Sequence, residues 1–193
     1  MNRSMESYRN FINNKRVVAG NSGIAIDVKD VHPHLFPFQR DIVKWACAKG
    51  KAAVFANTGL GKTFIQLEWA RLIGQNAIII APLSVARQTV REATKIGIEV
   101  RYVRDQSQVT PDHKMWITNY EMLSHFDADQ FGAVVLDESS ILKAMDGTTR
   151  KTLTDMFANT PFRLACTATP APNDRTEIGN HSEFLGIART VDM

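Results

Sequence analysis

The run Ala56-Asn57-Thr58-Gly59-Leu60-Gly61-Lys62-Thr63, set between a short apolar segment and a stretch of helical period, constrains this chain more than any other feature. It needs a strand before it and a helix after it. Gly59 and Gly61 let successive backbone N–H groups, with those of Thr58 and Leu60 beside them, turn toward an anion, and the following helix adds its positive N-terminal end. Lys62 can then reach the β- and γ-phosphates of a nucleotide, and the Thr63 hydroxyl can ligate Mg2+. This is a Walker A loop in the context the pattern requires, with Ala56 in place of its usual first glycine.

The rest of the chain keeps the same rhythm. Apolar runs at 52–56, 77–81, 100–103, 115–118, 133–136 and 163–167 lack strict alternation, as strands buried on both faces do. Helical stretches lie between them: 37–49, with Pro37 in its first turn and Gly50 after its end; 62–73, closed by Gly74; and 85–96, opened by Ser84 as N-cap and stopped by Gly97. Two more are expected after Thr149 and after Asp174. The pattern predicts a three-layer α/β domain with a mainly parallel central sheet, spanning 34–193. Residues 1–33 fit it poorly and read as an N-terminal extension, in which Val17, Val18, Asn21-Ser22-Gly23, Ile24 and Ile26 form a small hairpin or a loose arm. His32-Pro33-His34 marks the boundary as a turn, since no further Cys or His stands near enough to complete a metal site.

A second chemical signal follows in the fifth apolar run, where Val134-Val135-Leu136 lead into Asp137-Glu138. An acid at the carboxyl end of a parallel strand points into the crevice where such sheets bind ligands. Asp137 can hold Mg2+ or its water while Glu138 orients and deprotonates an attacking water, the Walker B arrangement. With Lys62, these are the candidate catalytic residues. Composition narrows the setting. Net charge is only +3, which permits contact with a nucleic-acid backbone without demanding it, and Cys47 and Cys166 exclude a disulfide framework and a zinc ribbon. No apolar window approaches the roughly 18 residues of a membrane span, so no membrane partner is expected and the chain reads as cytoplasmic, in a host cytoplasm if phage-encoded.

At this point the residues resemble the superfamily 2 helicases and translocases, within them the Swi/Snf-like branch. Phe36-Pro37-Phe38-Gln39-Arg40 is similar to the Q motif, which implies that Gln39 reads the adenine edge. Ala81-Pro82-Leu83-Ser84-Val85, with Gln88 and Glu92 after it, resembles motif Ia, and Ile117-Thr118-Asn119-Tyr120-Glu121 resembles motif Ib. Pro82, Leu83, Ser84, Thr118, Asn119 and Tyr120 would then touch a nucleic-acid backbone. Asp137-Glu138-Ser139-Ser140 takes the place of motif II and Ile141-Leu142-Lys143 continues it, with Lys143 as a further backbone contact. Ser140 stands where members more often carry His or Asp, which bears on the usual contact between motifs II and III. Thr167-Ala168-Thr169-Pro170 resembles motif III, whose short hydroxyls couple nucleotide state to the nucleic-acid face. Pro172-Asn173-Asp174 and Glu183-Phe184-Leu185 carry the likeness further.

The resemblance implies a RecA-like first lobe of an ATP-dependent motor, binding ATP and Mg2+, with double-stranded DNA as the favoured track. A second RecA-like lobe with the arginine fingers is implied too, and too little sequence follows Pro170 to supply it. The chain is therefore expected to be part of a longer protein, binding Mg-ATP weakly and hydrolysing it very slowly alone. The alternatives are a nucleotide-dependent binding module without turnover, an RNA helicase lobe, and an unrelated P-loop NTPase, which would lack the Q-like segment and the motif Ia, Ib and III series.

Overall fold

The computed structural model describes residues 5, 7–8, 19–144, 147–171 and 178–188, with 143 and 144 described by their backbone alone. Six strands form one sheet in the order β1-β6-β5-β2-β4-β3, and every pair is parallel. They are β1 (Lys51–Phe55), β2 (Ala77–Ala81), β3 (Arg101–Tyr102), β4 (Met115–Asn119), β5 (Ala133–Asp137) and β6 (Phe162–Thr167). Strand β2 is buried along its whole length, as an Ala-Ile-Ile-Ile-Ala run in the middle of a parallel sheet must be. Its side chains divide by period two. Ala77, Ile79 and Ala81 join the apolar cluster on one face, and Ile78 and Ile80 join the cluster on the other. Ala133 and Val135 against Val134 and Leu136 divide β5 in the same way. Two cores on either side of one sheet make three layers, a RecA-like α/β domain.

Helices α1 (Pro37–Lys49), α2 (Lys62–Ile73) and α3 (Leu83–Lys95) cover one face. The short α4 (Ile141–Ala144), then α5 (Gly147–Met156) and α6 (Ile178–Leu185), lie on the other. Helix α1 begins with Pro37 and ends at Gly50, whose φ of 72° few other residues adopt cheaply. Helix α3 departs from expectation. Pro82 rather than Ser84 precedes it, the Pro82 carbonyl accepting from Val85 N and Ala86 N at 2.9 and 3.0 Å, and no side chain caps it. Ser84 thus lies inside the first turn. Strand β3 is shorter than the 100–103 run because it pairs on one side only, with β4.

The described part of the extension forms no hairpin. The N–H groups of Ser22, Gly23 and Ile24 donate to the carbonyls of Lys49, Ala48 and Cys47, so this arm caps the end of α1. Only glycine fits at 23: a Cβ there would lie 1.9 Å from the Cys47 carbonyl oxygen. Val17 and Val18 lie outside the described residues. Farther along, Glu68 on α2, fully buried, accepts from His32 N at 2.7 Å and from Arg71 Nε and Nη2 at 2.8 and 2.7 Å, while Arg71 also donates to the Asp30 carbonyl. His32-Pro33-His34 is a turn, and no group of three or more His, Cys, Asp or Glu able to hold a metal occurs among the described residues.

Candidate functional site

The strands deliver their functional residues at one end. The 56–61 loop follows β1, Pro82 follows β2, Asn119 ends β4, Asp137 ends β5 and Thr167 ends β6. In the loop, Gly59 and Gly61 take φ of 85° and 73°, and Gly61 forms the left-handed entry to α2. The first N–H groups of α2 therefore face the loop's concavity without intrahelical partners. The Lys62 ammonium donates to the Ala56 carbonyl at 3.0 Å, across the mouth of the loop. Gln39, 3% exposed, lies behind it: its Nε2 donates to Leu60 O at 2.9 Å, and its Oε1 accepts from Phe36 N at 2.8 Å. A Cβ at position 61 would lie 2.3 Å from that Nε2, so the close approach of α1 to the loop depends on Gly61.

Asp137 is 4% exposed, and its Oδ1 accepts from Glu138 N at 3.1 Å. Burial pushes its carboxyl above the usual carboxylate range. A nearby Gln66 amide opposes this, Glu138 reinforces it, and Lys62 opposes it again. Gln66 itself is fully buried, and neither of its polar atoms reaches a hydrogen-bond partner among the described residues. Glu138 has φ of 51° and is the one non-glycine residue with positive φ among those described. Its carboxylate accepts from Thr167 Oγ1 at 3.4 Å, and Thr167 Oγ1 accepts in turn from Thr169 N at 3.1 Å. Motif II thus meets motif III through Glu138, whatever stands at Ser140. Ala168 is half-buried and Thr169 exposed.

These parts close on one cleft of about 430 Å³, with Thr58, Gly59, Gly61, Lys62 and Thr63 on one side and Asp137 and Glu138 on the other. Gln88 and Glu92 of α3 line it as well, so two residues grouped by sequence with the nucleic-acid face stand beside Lys62 and Asp137. A hollow of about 420 Å³ at the opposite end of the sheet, beside Asn76, Lys114 and Thr160, brings none of the sequence-predicted site residues together.

The nucleic-acid candidates separate into two groups. Leu83 and Ser84 are exposed at the start of α3, next to half-buried Pro82. Thr118, Asn119 and Tyr120 are instead turned inward. Tyr120 donates its phenol to the Asp137 carbonyl at 2.8 Å, Asn119 Oδ1 accepts from Tyr102 Oη at 2.8 Å, and the Thr118 hydroxyl is enclosed. Tyr120 thus braces the carboxyl end of β5, a role its motif likeness does not reveal. Lys143 falls in α4, its side chain outside the described residues, as are Pro172, Asn173 and Asp174. Sequence reasoning also passed over Gln66 and His181, and gave Ser139 no role beyond its place in motif II. Gln66 is one helical turn beyond Thr63, so period alone places it on the loop's side of α2. His181 has no local signal, since only the fold brings it to Ser139.

The DEAD/DEAH box helicase family matches residues 36–178. The chain belongs to that family. As a member it carries the ATP-binding RecA-like domain of the superfamily 2 helicases. Solved structures agree on the fold of this helicase lobe. The Sulfolobus solfataricus SWI2/SNF2 ATPase core in complex with dsDNA superposes with TM-score 0.70 at 20% identity, over 86% of this chain and 38% of that one. The UvsW helicase from bacteriophage T4 gives 0.64 at 14% identity, over 94% and 66%, and the Pyrococcus furiosus Hef helicase domain gives 0.60 at 15%, over 86% and 39%. The chain thus spans about two-fifths of the first of these and two-thirds of the second. Among curated proteins, none matches.

Proposed function

We propose that this chain is the N-terminal ATP-binding lobe of an ATP-dependent DNA helicase or translocase, taking Mg-ATP into the 56–63 cleft and following the backbone of double-stranded DNA. The observation that supports it best is the convergence of Lys62, Thr63, Asp137 and Glu138 on one cleft at the carboxyl end of a parallel sheet. Thr58 to Gly61 cradle the phosphates, Lys62 leaves the Ala56 carbonyl for them, and Gln39 holds the loop while offering its remaining amide valences to the adenine. Thr63 and Asp137 supply hard oxygen donors, and a buried carboxyl with a raised pKa is relieved by a cation, so the residues fit Mg2+. Held by Thr63 and Asp137, the ion would supply positive charge against that of the phosphates. Glu138 orients the attacking water and takes its proton. Thr167, its hydroxyl shared between Glu138 and Thr169, passes the state of the site along Ala168 and Thr169 toward the nucleic acid.

Pro82, Leu83 and Ser84 carry the backbone contact, because they are accessible and stand where the free N–H groups of α3 suit a phosphate. Lys143 adds a charge to the same track, and Thr118, Asn119 and Tyr120 shape the adjoining loop from within. Among the described residues lining the cleft there is no arginine, so charge stabilisation in the transition state falls to a second RecA-like lobe. The lobe works in the cytoplasm; no helix among the described residues is long and apolar enough to cross a membrane.

The test is ATP hydrolysis by this chain and by Lys62→Ala, with and without duplex DNA, alone and with a candidate C-terminal lobe added. Slow basal turnover, stimulated by duplex only when both lobes are present and lost in the variant, is the expected result. Binding that no lobe or track ever converts to turnover would make the chain a nucleotide-dependent binding module, and stimulation by RNA in place of duplex DNA would move it to RNA.

A further inference from the structure

Helix α6 lies almost wholly beyond the family match, which ends at 178, yet it sends a side chain beneath the acidic turn. His181 is 3% exposed, with its Nε2 3.0 Å from Ser139 Oγ. Phe55, at the end of β1, packs edge-on against the imidazole, with ring centroids 5.2 Å apart. The helix is fixed from below as well: Phe184 is fully buried, and Arg163 Nη1 donates to its carbonyl at 2.6 Å. The imidazole is therefore delivered to Ser139 by an anchored element.

Ser139 is tied down in turn. It is fully buried, its N–H donates to the Cys166 carbonyl at 2.9 Å, and its own carbonyl accepts from Leu142 N at 3.1 Å. Just before it stands Glu138 in the left-handed region, with φ of 51°. A side chain there is strained, and such a conformation persists only where the surroundings over-determine it. On the near side, Asp137 is held by its register with β6 and by the Tyr120 phenol on its carbonyl. On the far side the Glu138 carbonyl accepts from Ile141 N at 3.0 Å, and Ser139 is held by its two backbone bonds and, through its side chain, by His181.

We propose that His181 is a positioning residue: by its hydrogen bond to Ser139 Oγ it clamps the turn after Asp137 and so keeps Glu138 in the left-handed conformation that turns its carboxylate into the cleft. This rests on the reading of that cleft as the ATP site, because it assigns Glu138 to the attacking water. His181 touches no substrate. It acts from outside the family's matched residues on a motif inside them, and it makes the placement of α6 a condition of the catalytic geometry.

The test begins without nucleotide. Hydrogen exchange of the backbone amides at 138–142 is measured in the intact chain, in His181→Phe, which keeps a ring against Phe55, in Ser139→Ala, in the double variant, and in His181→Gln, whose amide nitrogen can replace Nε2. Exchange about tenfold faster in His181→Phe and in Ser139→Ala, no faster in the double variant, and restored in His181→Gln is the expected pattern, with amides of α2 unchanged. Unchanged exchange in His181→Phe, or additive effects in the double variant, would overturn the clamp; should His181→Phe fail to fold, Ser139→Ala and His181→Gln decide it alone. A second readout separates positioning from general support. The affinity of a fluorescent ATP analogue with Mg2+ stays within about twofold in His181→Phe while single-turnover hydrolysis falls about tenfold. Equal hydrolysis in the variant and the wild type would overturn the proposal. Failure of the wild type to bind nucleotide would overturn the ATP reading instead, leaving the exchange result to judge the clamp.

Discussion

At Asp137, function and stability pull in opposite directions. The carboxyl is buried and its pKa lies above the ordinary value, so the fold favours the protonated acid, and its penalty is present while the pH is above that raised value. Asp137→Asn keeps the oxygen that accepts from Glu138 N and removes the charge. It should therefore raise the melting temperature of the nucleotide-free chain near neutral pH, by roughly 2–4 °C if the relief is about 1 kcal/mol. The gain should close as the pH falls from the raised pKa to the ordinary carboxylate value, where the wild-type acid is neutral both folded and unfolded; a variant that melts lower than wild type at neutral pH would contradict the burial argument. Lys62, Asp137 and Glu138 were legible in the sequence because each stands in a short run whose neighbours declare its setting. Gln39 and Tyr120 were singled out only by likeness, for an adenine contact and a nucleic-acid contact rather than for the bonds they make. Nothing local to Gln39 foretells that both ends of its amide are bonded to the backbone, nor does anything near Tyr120 foretell a partner on another strand.

Among elements, the buried strands were the clearest, since runs such as Ala77–Ala81 and Ala133–Asp137 are too apolar for any place but the middle of a covered sheet. The short turns were missed although their signal is present. Asp27, Asp105 and Asp127 each accept from the N–H two residues on and open a 3-10 turn, a pattern of aspartates at loop starts that periodicity does not register. The arm before α1 was misread because its partners are the end of that helix and the side chains of α2, all distant in sequence. Glu68 is the main tie. Replacing it by Ala strands the His32 N–H and takes the carboxylate from the partly exposed Arg71, and should cost about 2 kcal/mol in denaturant unfolding, with hydrogen exchange rising at 30–32. A loss below about 0.5 kcal/mol would mean that the arm is held by its apolar contacts instead.

For the whole molecule, the two faces of the sheet are sealed well enough to silence its chemistry away from the cleft. Burial pushes the Cys47 thiol up to about 12 and the Cys166 thiol well above its ordinary value. A thiol reagent should therefore find neither cysteine in the native chain and both after denaturation; rapid native labelling would reveal an opening between the layers. The three-layer architecture followed from the order of runs and helices, whereas the meeting of Glu138 with Thr167, and of Ser139 with His181 of α6, exists only once the sheet has formed. Nucleotide binding is the deciding property of the cleft. Calorimetric titration of ATP into the intact chain, with and without Mg2+ and beside Lys62→Ala, addresses it directly: saturable binding that strengthens with Mg2+ and weakens at least about tenfold in the variant is what the cleft predicts. Absence of binding, or binding indifferent to both Mg2+ and Lys62, would contradict it.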